Sequence, residues 1–277
     1  MSWNKVLIDT YNYLRNQGLL LGTSARPLKS TAEYVAIGKI EGSAPFGAFG
    51  KIDAASALTN QVLWADGEWE APPSEGCSIS IVSTSAEDGV GGTGIRELHI
   101  HYLDADLEPQ IEITETDGTT DAVMIAANVR FLQCAHLTET GFGSTKAAVG
   151  IITFRNTSTG AVYNQIDPNE NRCTSSARMV PKGKRAIITG MVGSSISGAA
   201  STASSISIAS TYFYDIDYTA DSILIPFGSV GLQDGSEAFN LPIPAVFPEG
   251  SVIAMICTTD KAAIITGDWF GYTEDDI

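Results

Sequence analysis

The sequence predicts an all-β fold of β-sandwich or jelly-roll-like domains, preceded by an N-terminal arm or short helix. Three observations lead there. Short apolar–polar alternations recur from Ser78 to the end of the chain. Alternation of period two places successive side chains on opposite faces of a strand. Gly, Pro, Asn and Asp clusters such as "NTSTG", "DPNEN", "PKGK", "DGSE", "FPEG" and "TTDK" separate them, as turns separate strands. Beyond the first 20 or so residues, helical periodicity is scarce, so no strand–helix alternation is available to build an α/β sheet.

Taken in order, the chain opens on "MSWNKVLIDTYNYLRNQGLLLG", where Trp3, Val6, Leu7, Tyr11, Leu14 and Leu19 recur at spacings of three to five. That is the best candidate for a helical stripe, ended by Asn16 to Gly18, with an extended arm as the alternative. Residues 1–70 read as an arm or small subdomain, because "EGSAPFGAFGK" scatters Gly and Pro through a weak strand signal. Residues 71–157 read as a β-rich domain and 158–277 as a β-sandwich domain, or the two as one continuous unit. The predicted strands are "SISIVSTS", "RELHIHYL", "QIEITET", "AVMIAA", "VRFLQCAHL", "AAVGIITFRN", "AVYNQI", "RAIITGMV", "SISIASTYFYDIDY", "DSILIPFG", "SVIAMICTT" and "KAAIITGDWFGY". "GSSISGAASTASS" is low in complexity and reads as a loop or as a small-residue strand.

Composition narrows the function. Of 277 residues, 16 are basic and 32 acidic, a net charge of −16, which argues against binding a phosphate backbone or an anionic membrane surface. The densest basic run, "MVPKGKRAII", reads as a hairpin tip with solvated charges. No stretch approaches the roughly 18 apolar residues of a membrane helix, and the N-terminus does not read as a signal peptide. Only 17% of residues are charged, which suits a surface partly covered by other subunits. The four cysteines, Cys77, Cys134, Cys173 and Cys257, form no C-x-x-C and read as reduced thiols rather than zinc ligands.

The most provocative stretch is "EDGVGGTGIRELHIHYLDAD". Gly89, Gly91 and Gly94 form a G-x-G-x-x-G, but "IRELHIHY" follows with period two. The dinucleotide turn needs a helix there, whose N-terminal amides bind pyrophosphate. His99 and His101 would share one face of a strand, and with Asp104 or Asp106 they make a workable ligand set. A half-exposed polar strand face has the same appearance, and it is the preferred reading. Asp104, Asp106 and Glu108 imitate the start of a calcium loop, yet Pro109 stands where that loop needs Gly, so a hairpin turn is expected. His136, within "FLQCAHL", reads as a core or edge side chain. There is no G-x-S-x-G, H-E-x-x-H or P-loop. The expectation is a protein without catalytic residues, cofactor or metal.

The same stretch carries a resemblance. "GGTGIRELHIHYLDADLEPQIEITETDGTTDAV" and "VRFLQCAHL" resemble a module of structural proteins in tailed-bacteriophage virions, with its Gly-Thr-Gly-x-Arg turn, Leu-Asp turn and Asp-Gly-Thr-Thr turn. "AAVGIITFRNTSTGAVYNQIDPNEN", "ARMVPKGKRAIITG" and "VFPEGSVIAMICTTDKAAIITGDWFGY" resemble its following strands, its Val-Pro-x-Gly-Lys hairpin and its closing strand pair. The likeness runs from about Ile79 to Tyr272. It implies a virion protein, most like the capsid cement or decoration proteins: a homotrimer on the outer capsid surface that bridges major capsid protein subunits. Trp3, Val6, Leu7, Tyr11 and Leu14 are then candidate capsid or subunit contacts. A tail, neck or baseplate component is the alternative. So is a receptor- or carbohydrate-binding sandwich using Trp64, Trp69, Trp269 and Tyr272.

Overall fold

Eighteen strands in five antiparallel sheets make up the described part of the computed structural model, which covers residues 35, 38, 40–65, 69–138, 141–197, 203–213, 216–217, 225–232 and 235–276. In chain order the strands are β1 (Ala44–Ala54), β2 (Leu58–Val62), β3 (Ile79–Ser83), β4 (Glu97–Asp104), β5 (Pro109–Glu115), β6 (Ala122–Val123), β7 (Val129–Leu137), β8 (Ile152–Asn156) and β9 (Val162–Ile166). There follow β10 (Arg178–Met179), β11 (Lys184–Ile196), β12 (Ser204–Ser210), β13 (Tyr212–Phe213), β14 (Ile216–Asp217), β15 (Ile225–Leu232), β16 (Gly235–Phe247), β17 (Val252–Thr259) and β18 (Ala263–Asp275). The candidate contacts Trp3, Val6, Leu7, Tyr11 and Leu14 lie outside the described residues.

The all-β expectation holds, but its finer form does not. The sheets run β1-β18-β11-β16, β10-β17-β12-β15 with β2 beside β17, β6-β3-β8-β9, β5-β4-β7, and the small β13-β14 pair. Three apolar clusters join the four larger sheets face to face. Ile52, Ile188, Met191, Ile265 and Trp269 of the first sheet meet Ile206, Ile208, Ile253, Met255 and Cys257 of the second. The other face of the second sheet, through Met179, Ala209, Val252, Ala254 and Ile256, meets Leu103 and Phe131 of the β5-β4-β7 sheet. That sheet turns Leu98, Ile100 and Ala135 towards Ile79, Ile81, Ile152, Phe154 and Ile166 of the fourth. Successive sheets therefore stack in a propeller-like arrangement rather than forming a sandwich or jelly roll.

The pattern of β17 explains its central place. "VIAMICTT" is apolar without alternation and buried on both faces, the signature of a strand between two packed layers. β4 alternates cleanly, and Leu98, Ile100 and Tyr102 face one core while His99 and His101 face the other way.

Strand pairing crosses both boundaries drawn from the sequence. β1 pairs along its whole length with β18, and β2 pairs with β17, so residues 44–62 are built into the sheets of the C-terminal half. The weak strand signal there came from glycine, and the glycines are what the pairing needs: a Cβ on Gly50 would stand 2.3 Å from the Leu63 carbonyl oxygen. β8 and β9 form a hairpin across residues 157 and 158. The "closing strand pair" β17 and β18 lies in two different sheets, so the turn between them steps from one layer to the next.

Candidate functional site

The β5-β4-β7 sheet gathers the groups with chemical or binding potential. Its register sets two rows across one face. Ile113, His99 and His136 form the first; Ile111, His101 and Cys134 form the second. Directly paired residues in antiparallel strands share a face, so local pairing alone brings all three histidines of the chain together. The ring centroids stand 4.7 Å (His99–His101), 5.1 Å (His99–His136) and 5.4 Å (His101–His136) apart, the last pair stacked. Each ring is half-buried. Burial lowers the pKa of His101, and the charges of His99, His136 and Arg178 add to it; His136 is lowered by burial and by His99. His136 is thus part of a three-histidine cluster rather than an isolated core or edge residue. The carboxylates Asp104 and Asp106, weighed as co-ligands from sequence, do not join it. Asp104 Oδ1 accepts the amides of Asp106 and Glu108, and Oδ2 accepts Gln110 Nε2, all at 3.0 Å, which fixes the β4–β5 turn.

The open side of the same sheet is apolar. β5 is an edge strand with Ile111 59% and Ile113 58% exposed. The Glu112 carboxylate accepts the backbone amides of Ile125 (2.6 Å) and Ala126 (3.0 Å), so the segment after β6, the edge of the neighbouring sheet, lies against β5. Val123 is 55% and Ile125 91% exposed. Two adjoining sheet edges therefore present uncovered β-branched side chains, which water penalises and a partner would cover.

The glycine-rich loop before β4 is organised by acids. Asp88, fully buried, accepts Ser83 Oγ (2.7 Å) and the Gly150 amide (2.7 Å) on Oδ2, and the Ile95 (3.1 Å) and Val149 (2.8 Å) amides on Oδ1. Glu87 accepts the Thr93 amide and hydroxyl, each at 3.0 Å. The Gly92 and Gly94 amides bond the carbonyls of Gly89 and Glu87. Gly94 is required because a Cβ there would stand 2.0 Å from Asp88 Oδ1. The Gly92, Thr93 and Gly94 amides are used inside the loop, and a strand rather than a helix follows it.

Trp269 is fully buried and donates Nε1–H to the Ser176 carbonyl at 2.7 Å, and Trp64 is also buried, which removes both from an exposed glycan platform. Trp69 is half-buried beside Phe131, and Tyr272 is half-buried. The basic run is a turn between two sheets rather than a hairpin tip. Its charges are paired: Lys182 with Glu108 (3.3 Å), Lys184 with Asp275, and Arg185 with Glu274 (2.6 Å). All four cysteines are free; burial pushes the Cys173 and Cys257 thiols up to about 12.

No family model matches the chain, and no curated protein matches it. Among solved structures, a chain from the structure of infectious bursal disease virus, Gt strain, aligns over 95% of this chain and 82% of that one. The identity is 10% and the TM-score 0.18, a likeness that carries no argument about fold or function.

Proposed function

We propose that the protein is a structural component of a tailed-bacteriophage virion, a cement protein that binds the outer capsid surface and bridges major capsid protein subunits. The observation that carries this reading is the exposure of Ile111 and Ile113 on the edge strand β5, with Val123 and Ile125 exposed at the edge of the neighbouring sheet. Such an edge suits permanent contact with a neighbouring protein. The turn motifs of the resemblance give the class of particle. The acidic balance fits a surface that faces solvent and not packaged DNA. The mechanism is mechanical: copies bound across joints between capsid subunits add contact area and stabilise the assembled shell by mass action. A homotrimer with the capsid as partner, acting without catalysis or cofactor, completes the proposal.

The test uses heads stripped of this protein, to which purified protein is added back. Wild-type protein is expected to rebind to saturation and raise the temperature at which heads release DNA. The Ile111→Asp/Ile113→Asp variant is expected to lose occupancy. Equal occupancy by wild type and variant would overturn the assignment of this edge, and absence of rebinding by wild type would overturn the cement function.

A further inference from the structure

We propose that His99, His101 and His136 form a site for one divalent transition-metal ion of the zinc type, clamping β4 to β7. Each residue offers a ring nitrogen, and these nitrogens all lie within 4.8 Å of one another. Tetrahedral coordination with Zn–N of about 2.0–2.1 Å needs nitrogens about 3.4 Å apart, a closure that small χ rotations supply. Among the described residues, none of these ring nitrogens makes a hydrogen bond, so no protein partner must be given up for a metal. The backbone is already set. His99 and His136 are a directly paired couple, and His101 follows two residues along β4 on the same face.

The chemistry of the ligand set defines the ion. Three imidazoles and no carboxylate suit zinc, copper, nickel or cobalt rather than calcium or magnesium, which demand oxygen ligands. Arg178 and Arg172 oppose a cation here. Arg172 forms a backbone bridge with His136, and Arg178 adds positive charge at His101. Arg178 donates Nη1 to the Ser175 and Ala177 carbonyls, and Asp268 offsets part of both charges. Three protein ligands leave a fourth position for water. The site is separate from the capsid-binding reading, and its failure would leave that reading standing.

The experiment uses full-length protein without a polyhistidine tag, titrated with zinc chloride by calorimetry and with Co2+ by visible absorption. The expected result is saturable one-to-one binding, with the intense visible bands of a four-coordinate Co2+ ion and a zinc-dependent rise in melting temperature. His136→Gln and, independently, His101→Gln should each weaken zinc binding at least about tenfold while keeping the metal-free circular dichroism spectrum. No saturable binding by wild type, or full binding by both variants, would overturn the proposal. So would binding of inorganic phosphate by the metal-free protein that both variants abolish, since the cluster would then serve an anion together with Arg172 and Arg178.

Discussion

Replacing Asp88 with asparagine tests the loop that positions β4 and hence two of the three histidines. The carboxylate accepts four hydrogen bonds, three of them from backbone amides, with no solvent contact. Asparagine keeps the shape but turns one oxygen into a donor. If the new NH2 stands at Oδ1, the Ile95 and Val149 amides lose their acceptor. If it stands at Oδ2, the Ser83 hydroxyl can rotate to accept it, but the Gly150 amide is orphaned. The cheaper arrangement thus leaves one buried amide unsatisfied, which costs about 1–3 kcal/mol, and the remaining bonds lose their charge-assisted strength. Relief of carboxylate desolvation offsets part of this, leaving a loss of about 2–4 kcal/mol. With an unfolding entropy of about 2.1 cal/mol/K per residue over 277 residues, that is a fall in Tm of about 3–7 °C. Differential scanning calorimetry measures it. A Tm within about 1 °C of wild type would refute the claim that Asp88 holds the loop.

Three further outcomes follow from burial and bonding. Trp269→Phe should destabilise by about 2–4 kcal/mol in urea unfolding, because it orphans the Ser176 carbonyl and opens space in the core; a change below about 0.5 kcal/mol would contradict this. Alkylation at pH 8 needs thiolate, and with thiols pushed up to about 12, Cys173 and Cys257 should stay unlabelled in native protein. Peptide mass spectrometry should find them labelled only in denaturant, and native labelling of Cys257 would count against the described core. Ile113→Thr, on the exposed edge, should shift stability by no more than about 0.5 kcal/mol in urea unfolding; a large loss of stability would mean that the side chain is not exposed in solution.

Some of this was readable from sequence because local pattern and local structure coincide. "VRFLQCAHL" is β7 from end to end, and the β4–β5 hairpin follows its alternation and its Asp104 turn. β1 was hidden because close backbone approach demands Gly47 and Gly50, residues that otherwise mark loops. β16 was hidden by Pro242 and Pro244, which an edge strand tolerates, and its pairing with β11 skips from Asn240 to Ala245. His99 and His101 were visible as a pair, since spacing of two is a local fact. His136 joins them only through the β4–β7 register, which no local signal carries. The sheet assignment of β17 and β18 likewise depends on which layers stack, a property of the whole fold. The exposed edge was unreadable because "QIEITET" alternates equally well over a core and over a partner's surface.

Whether the protein coats a phage head, as proposed, is decided by counting its copies in purified virions. Peptides of this chain are quantified by mass spectrometry against those of the major capsid protein. Hundreds of copies per particle are expected, in fixed ratio to the capsid protein. Six, twelve or a few dozen copies would place it in the tail or neck instead, and absence from the particle would mean that it is not a virion protein.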